Sequence, residues 1–419
     1  MNSILAGFEV KKSVLPNGLR VLVREDHSAP VTAIFTHVLA GYFDEPDNLV
    51  GIAHVLEHMY FKGTPTRGPG EIAQATKSAG GYLNASTIYD HTEYYTVVPA
   101  SSVEQGLDIQ SDALLNPLID KEELSKELQV IIQEANRKLD NPHAVARETL
   151  FELMFDKHRM RRWRIGEEVQ LAKFKRADVA GFFEKQYRAE NTILIVAGDI
   201  DSKRAINLVA DRYGSLRNGA SKPDRGPVEK PKRGARFREI AGDVVHTHIE
   251  LGWHTQPPLH PDTPLLDLFA LVVGQGRASR LYRLVRDAGL ATSVSAHNYT
   301  PTELGVFGVT AECRPEDTQA CIERIKQVMV DWTEFLPEEL DRAKSILEAR
   351  MLRGLETMEG QASFIAEWEA LGDWKLGLDY LQQALSATAD DVLRVGREYI
   401  DPENAALLIY RPESAAAYA

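Results

Sequence analysis

Two histidines and a glutamate stand close together in the stretch GIAHVLEHMYFKGTP near the start of the chain. If this stretch is helical, His54, Glu57 and His58 share one face, because 3.6 residues per turn places positions i, i+3 and i+4 side by side. Two imidazoles on successive turns can bind one zinc ion, and the carboxylate beside them can take a proton from zinc-activated water. The spacing therefore predicts a zinc-dependent hydrolytic site. The alternative is a surface helix with scattered polar residues.

The other face of the same predicted helix is apolar. Hydrophobic residues recur on it at helical spacing, namely Ile52, Val55, Leu56, Met59 and Tyr60. A helix that buries this face directs the two imidazoles and the carboxylate away from the core, where a substrate can reach them. The order His-x-x-Glu-His is the inverzincin signature and the reverse of the commoner His-Glu-x-x-His arrangement.

Two histidines leave a catalytic zinc ion one protein ligand short. The best source of the third ligand is a predicted helix over 121–139, in which Glu127 and Glu134 are seven residues apart and so share a face. That face also carries Leu124, Val130 and Ile131. Carboxylates on an apolar face are costly unless they are paired or bind metal. We therefore predict Glu134 as the third ligand and Glu127 as a partner that orients a histidine; a helix with solvated glutamates is the alternative.

The chain divides into two halves that look like diverged copies. Residues 217–236 are rich in proline, glycine and basic residues and lack apolar periodicity, so we expect an exposed linker there. Each half opens with strand-like alternation and closes with a Glu-Asn turn followed by an apolar strand, at 187–201 and 399–413. This order predicts an α+β fold with one sheet faced by helices in each half. The predicted domains are 1–216, with the zinc site, and 237–419, without a metal site.

Composition limits the function classes further. The 419 residues include 48 Lys and Arg against 61 Asp and Glu, and the net charge of −13 argues against a nucleic-acid-binding protein. No apolar run reaches the length of about 18 residues that a membrane span needs. The first ten residues lack the features of a secretory signal, which favours a soluble, cytoplasmic protein; a periplasmic location stays open if a signal peptide has been removed. Two cysteines are too few for a disulfide framework.

These motifs resemble the pitrilysin and mitochondrial processing peptidase family of zinc metallopeptidases. Besides HVLEH and the helix KELQVIIQE, the resemblance rests on LPNGLRVLV, GGYLNASTIYDHTEYY, NTILIVAGDID and GRASRLYRLVRDAGLATSV, so it covers nearly the whole chain. It implies that Glu134 is the third zinc ligand and that Glu127 supports activity. It also implies two homologous α+β domains, each an antiparallel sheet with helices on one face. Together they would form half of a clamshell chamber, as in the zinc-bearing subunit of short bacterial members.

The resemblance also assigns residues to the substrate. Residues 80–98 are similar to the family's edge strand beside the zinc ion, so an extended peptide is expected to add to the sheet there. The residues implied to contact it are Asn84, Ala85 and Ser86. Active relatives place an arginine and a tyrosine in the second half; Arg286 matches the arginine, but Thr292 stands at the tyrosine position and the spacing is one residue shorter.

We therefore expect a zinc metalloendopeptidase that holds one zinc ion per chain and cleaves extended peptides, with Glu57 as the general base. Because the chamber needs two chains, we expect a homodimer or, for activity, a heterodimer with a homologous subunit that bears the Arg/Tyr pair. The alternative is a zinc-retaining structural or peptide-binding subunit that is inactive without that partner. We expect no nucleic acid among its partners and no membrane-spanning segment in the chain.

Three further histidines follow one another at even spacing near the start of the second half. His246, His248 and His254 would lie on one face of a strand. The pattern favours a sheet face lined by hydrogen-bonded histidines over a second metal site.

Overall fold

The computed structural model describes residues 7–220, 224, 226–229, 234–330 and 334–413. Several residues of the predicted linker 217–236, including Pro223 and Pro231, lie outside the described residues. The chain forms two compact units. Unit 1 comprises the described residues within 1–136, 163–226 and 352–378, and unit 2 those within 137–162, 227–351 and 379–419. Each unit therefore includes a segment from the other half of the sequence.

Eleven strands and fourteen α-helices are found in the described part of the chain. The strands are β1 (Lys11–Val14), β2 (Arg20–Glu25), β3 (Val31–Val38), β4 (Tyr82–Thr87), β5 (Thr92–Pro99), β6 (Thr192–Gly198), β7 (Arg236–Gly242), β8 (Thr247–Thr255), β9 (Ser293–Tyr299), β10 (Gly305–Cys313) and β11 (Ala406–Pro412). The helices are α1 (Ile52–Tyr60), α2 (Glu71–Ser78), α3 (Val103–Leu115), α4 (Lys121–Leu139), α5 (Pro142–Met154), α6 (Glu168–Leu171), α7 (Arg176–Gln186), α8 (Ser202–Tyr213), α9 (Thr263–Gly274), α10 (Thr318–Val330), α11 (Pro337–Gly354), α12 (Met358–Ala370), α13 (Leu376–Ser386) and α14 (Ala389–Tyr399). None of the described helices is both long enough and apolar enough to cross a membrane.

Unit 1 is built on a six-stranded sheet in the order β1-β2-β6-β3-β5-β4. All neighbouring strands are antiparallel except β2 and β6, which are parallel and have the long connection between them that a parallel pair requires. Alternate residues such as Ile34, Val38 and Tyr94 belong to the core that α1, α3 and α8 share with the sheet. The opposite face is covered by α12, which packs on β3 and β6.

Unit 2 repeats this plan with a five-stranded sheet in the order β7-β11-β8-β10-β9. Alternate residues of β8, such as Ile249 and Leu251, belong to a core shared with α9, α10 and α14. The other face is covered by α5, which packs on β8 and β11. A Cβ atom added at Gly252 would lie 2.5 Å from Met154 Sδ, so the absence of a side chain lets α5 approach β8. The predicted α+β class with two similar domains is confirmed.

The start of α1 is fixed by a buried carboxylate. The backbone N–H groups of Gly51 and Ala53 donate to the two carboxylate oxygens of Glu45, each at 2.9 Å. These N–H groups have no acceptor within the helix, so the side chain of Glu45 satisfies them. Its negative charge also interacts favourably with the positive end of the helix dipole. Gly51 adopts a left-handed conformation with φ of 97°. A Cβ atom there would collide with the carbonyl oxygen of Ile165.

Replacing Gly51 with alanine should destabilise the protein far more than the same change at Gly70. Each glycine has a positive φ and directly precedes a helix, but a Cβ atom at Gly70 would have no neighbouring atom within 4 Å. Gly70→Ala is expected to lower the free energy of unfolding by about 1–2 kcal/mol through backbone strain alone. Gly51→Ala adds a steric collision and should cost about 2–5 kcal/mol in total. Chemical denaturation of both variants measures the difference, and equal losses would contradict the proposed close packing at Gly51.

Candidate metal centre

Helix α1 carries the three residues of the sequence motif on its less buried side. Its apolar stripe packs into the core of unit 1, with Ile52, Val55, Leu56, Met59 and Tyr60 all buried. The ring centroids of His54 and His58 are 4.7 Å apart. The structure therefore places both imidazoles together, as the spacing predicts.

Helix α4 brings Glu134 to the same place. One carboxylate oxygen of Glu134 lies 3.8 Å from His54 Nε2, and the other lies 3.7 Å from His58 Nε2. Two ligands at about 2.1 Å from a tetrahedral zinc ion are about 3.4 Å apart, so small side-chain adjustments would bring these donors into range. Two imidazoles and one carboxylate are also the donor set of a catalytic zinc centre, which keeps its fourth position open. The residues present therefore fit a zinc ion.

Glu127 lies directly behind His58. Its Oε2 is 3.1 Å from His58 Nδ1, and its Oε1 is 2.6 Å from Lys62 Nζ. A carboxylate on Nδ1 fixes the ring so that Nε2 is available as a ligand, which is the orienting role predicted for Glu127. Lys62 was missed from the sequence, although its position one helical turn after His58 could have indicated it.

The predicted apolar face of α4 is narrower than its sequence indicates. Leu124 and Ile131 are buried, whereas Val130 is 47% exposed. Val130 lies at the margin of the face, because a step of three residues rotates a side chain about 60° away from Glu127. Glu127 and Glu134 nevertheless lie on the side of α4 that approaches α1.

Glu57 is held by the neighbouring strand β4. The hydroxyl of Thr87 donates to Oε2 of Glu57 at 2.5 Å. Burial raises the pKa of Glu57, while the hydrogen bond from Thr87 and the nearby His58 oppose that rise. A carboxyl group whose pKa is raised towards pH 7 can accept a proton and release it again. Sequence reasoning did not single out Thr87, although it follows directly on the Asn84–Ser86 segment.

The predicted substrate-binding segment lies on β4, an edge strand of unit 1. Asn84, Ala85 and Ser86 face Tyr95, Tyr94 and Glu93 of β5 on one side, and no described strand pairs with the other side. Asn84 Oδ1 accepts the N–H of Ala85 at 2.9 Å, and the hydroxyl of Ser86 donates to Glu93 at 3.1 Å. β4 also contacts α1, the helix that carries the two histidines.

Arg286 lies in unit 2, at the end of a π-helical segment over Tyr282–Arg286. Its Nη1 donates to the hydroxyl of Tyr282 at 2.7 Å, and its Nε donates to the carbonyl oxygen of Thr292 at 3.2 Å. The hydroxyl of Thr292 donates to the carbonyl oxygen of Glu312 at 3.0 Å. The substrate role of Arg286 stays a prediction.

Comparison with known proteins finds the same family on both halves. The family described as Insulinase (Peptidase family M16) matches residues 20–167, and the one described as Peptidase M16 inactive domain matches residues 173–347. A protein of Rickettsia felis named uncharacterized zinc protease is 29% identical over 390 residues, which span 92% of this chain and 94% of the relative.

Solved structures agree with these matches. The crystal structure of a protease from Helicobacter pylori is similar with a TM-score of 0.90 at 25% identity, over 97% of this chain and 100% of that one. The periplasmic protease PqqL from Escherichia coli shares the fold, with a TM-score of 0.79 at 22% identity. That match covers 98% of this chain but 48% of PqqL, so PqqL is about twice as long.

Replacing Glu134 with alanine should weaken zinc binding by about 100-fold or more, because it removes a ligand rather than one of the outer partners, whose loss typically costs 10–100-fold. Glu122→Ala is the matched control, since Glu122 is an exposed glutamate of the same helix. Competition with a chromophoric chelator would measure both affinities. Full zinc occupancy of Glu134→Ala would place the third ligand elsewhere.

Proposed function

Because the chain belongs to peptidase family M16, we propose that it is a zinc-dependent endopeptidase that hydrolyses extended peptides. One observation carries this proposal: the carboxylate oxygens of Glu134 lie 3.7–3.8 Å from the Nε2 atoms of His54 and His58. Glu57 lies on α1, the helix that carries both histidines. The name of the relative from Rickettsia felis supports both the metal and the protease activity.

His54, His58 and Glu134 would hold the zinc ion in this enzyme. When bound, zinc supplies a Lewis acid that polarises the peptide carbonyl group and lowers the pKa of a water molecule. Glu127 holds His58 in the orientation that leaves Nε2 available, and Lys62 balances the charge of Glu127.

Glu57 moves the proton in the proposed reaction. Its carboxylate accepts a proton from the attacking water molecule, whose oxygen adds to the peptide carbonyl carbon. The same carboxyl group then donates that proton to the leaving amine nitrogen as the C–N bond breaks, so Glu57 returns to its starting state. Thr87 occupies Oε2 with its hydrogen bond, which leaves Oε1 of Glu57 for the transferred proton. Burial of Glu57 favours the protonated form that must persist between the two transfers.

The free edge of β4 is the proposed binding site for the substrate backbone. An extended peptide would pair with outward-facing backbone groups near Asn84, Ala85 and Ser86 as an added antiparallel strand. Main-chain pairing is largely independent of side chains, so affinity would come from the extended conformation more than from one sequence motif. A folded protein would have to unfold locally before it could bind.

A second chain is proposed to complete the chamber, because PqqL has the same fold in about twice the length. The partner would be a second copy or, for full activity, a homologous subunit with the Arg/Tyr pair. Thr292 favours the second partner, since a threonine, whose hydroxyl group donates to the carbonyl oxygen of Glu312, stands at the position of the family tyrosine. The same observation keeps a second candidate function, a zinc-retaining peptide-binding subunit that depends on its partner for catalysis.

Glu57→Gln should retain zinc and lose peptide cleavage by about 10²–10⁴-fold, because the amide cannot accept the proton of water. Glu122→Gln provides the control for a glutamate outside the centre. Cleavage of a fluorogenic peptide and the zinc content would be measured on the same samples. Cleavage by Glu57→Gln at the rate of the unmodified protein would assign the base to another residue.

Cleavage of an unstructured peptide library would identify the active species. The purified protein is assayed alone and with a homologous Arg/Tyr-bearing chain, each with and without a zinc chelator. We expect chelator-sensitive cleavage that needs, or is strongly increased by, the second chain. Equal cleavage by the protein alone would show that Thr292 is no handicap. A zinc-loaded protein that never cleaves would favour the peptide-binding subunit.

A further inference from the structure

A second group of metal-ligating side chains lies in unit 2, under the first turn of α5. His248 on β8 and Glu312 on β10 are direct cross-strand neighbours, so their side chains lie on the same face of the sheet. His143, the second residue of α5, lies above them. Its Nε2 is 3.7 Å from Glu312 Oε2, and its ring centroid is 4.7 Å from that of His248.

The carboxylate of this group is held in place from two sides. Nδ1 of His246 lies 3.1 Å from Glu312 Oε1, the oxygen that does not face His143. The backbone N–H and the hydroxyl of Thr292 both donate to the carbonyl oxygen of Glu312, at 2.8 and 3.0 Å. Both the backbone and the side chain of Glu312 are therefore fixed before any ion binds.

The imidazole of His248 lacks a partner that its burial requires. His248 is 5% exposed, and its Nδ1 is enclosed without a hydrogen bond to any described residue. A buried ring nitrogen without a partner is costly, so it indicates a missing ligand or water. His254, on the same face of β8, differs because its Nε2 lies 3.1 Å from the carbonyl oxygen of Met154. The expectation of hydrogen-bonded histidines therefore fits His254 but not His248.

We propose that His143, His248 and Glu312 form a second binding site for a divalent transition metal ion such as Zn²⁺, Co²⁺ or Ni²⁺. One potential ligand atom from each residue lies within 4.8 Å of the others. Imidazole nitrogens with one carboxylate select these ions over Mg²⁺ and Ca²⁺, which prefer oxygen ligands. His246 orients the carboxylate, as a histidine or backbone partner commonly does for a metal ligand. This site differs from the expectation that the second domain holds no metal.

The arrangement indicates a structural rather than a catalytic role. The three ligands come from α5, β8 and β10, so a bound ion would link the helix to two strands of the sheet. The side chain of His143 is 53% exposed, so an ion can enter from solvent. Metal binding should therefore raise the unfolding temperature of the protein.

The test removes the first centre, so that it does not depend on the proposed peptidase. The double variant His54→Ala/His58→Ala is titrated with Co²⁺, followed by visible absorption, and with Zn²⁺ in equilibrium dialysis. We expect one remaining ion per chain and a metal-dependent rise in unfolding temperature. Adding His143→Ala should weaken this binding at least tenfold and abolish the rise. His143 is exposed, so this change does not threaten folding, and His248→Ala should have the same effect.

His260→Ala in the same background is the matched control, because His260 is a partly exposed histidine of unit 2 outside the group. It should leave the remaining ion in place. A double variant that binds neither Co²⁺ nor Zn²⁺ would overturn the proposal. So would an ion that binds as tightly after His143→Ala and His248→Ala as before, since it would then be bound elsewhere.

Discussion

The geometry of the candidate metal centre depends on where α1 begins. Two backbone N–H groups, from Gly51 and Ala53, donate to the buried carboxylate of Glu45, and Gly51 packs against the carbonyl oxygen of Ile165. Shifting the register of a helix by one residue rotates every side chain by about 100°. Such a shift would rotate His54 and His58 away from Glu134 and separate the three predicted ligands. The polar cap and the close contact at Gly51 thus hold the register on which the ligand set depends.

Local spacing predicted most of this centre, because its residues lie on two helices with simple periodicity. His54, Glu57 and His58 follow from positions i, i+3 and i+4, and Glu134 from its spacing to Glu127. Spacing could not show that α4 packs beside α1 with Glu134 facing both Nε2 atoms, since that is a long-range contact. The resemblance to a known family supplied it. Thr87 was missed because a single polar residue on a strand carries no periodic signal, whereas the position of Lys62 one helical turn after His58 was a signal that was not used.

The sequence indicated two domain-like halves. It did not indicate that α5, from the first half, belongs to unit 2 and that α12, from the second half, belongs to unit 1. A helical pattern shows which face is apolar and does not show which sheet that face covers. One signal was present: TILIVAG in β6 is buried at every position, and a continuous apolar strand requires cover on both faces of its sheet. Unit 1 has the helices of the first half on one face and α12 on the other. The continuous apolar run of β6 therefore predicts helices on both faces of the sheet. The second covering helix, α12, lies far from β6 along the chain.

Thr292 supports Glu312, one of the three residues of the proposed second metal site. A tyrosine at this position would have a backbone N–H for Glu312, but its hydroxyl group would stand too far from the backbone to donate to the same carbonyl oxygen. Threonine places a second donor there, 3.0 Å from that oxygen. The short side chain thus steadies the residue whose carboxylate meets His143 and His246.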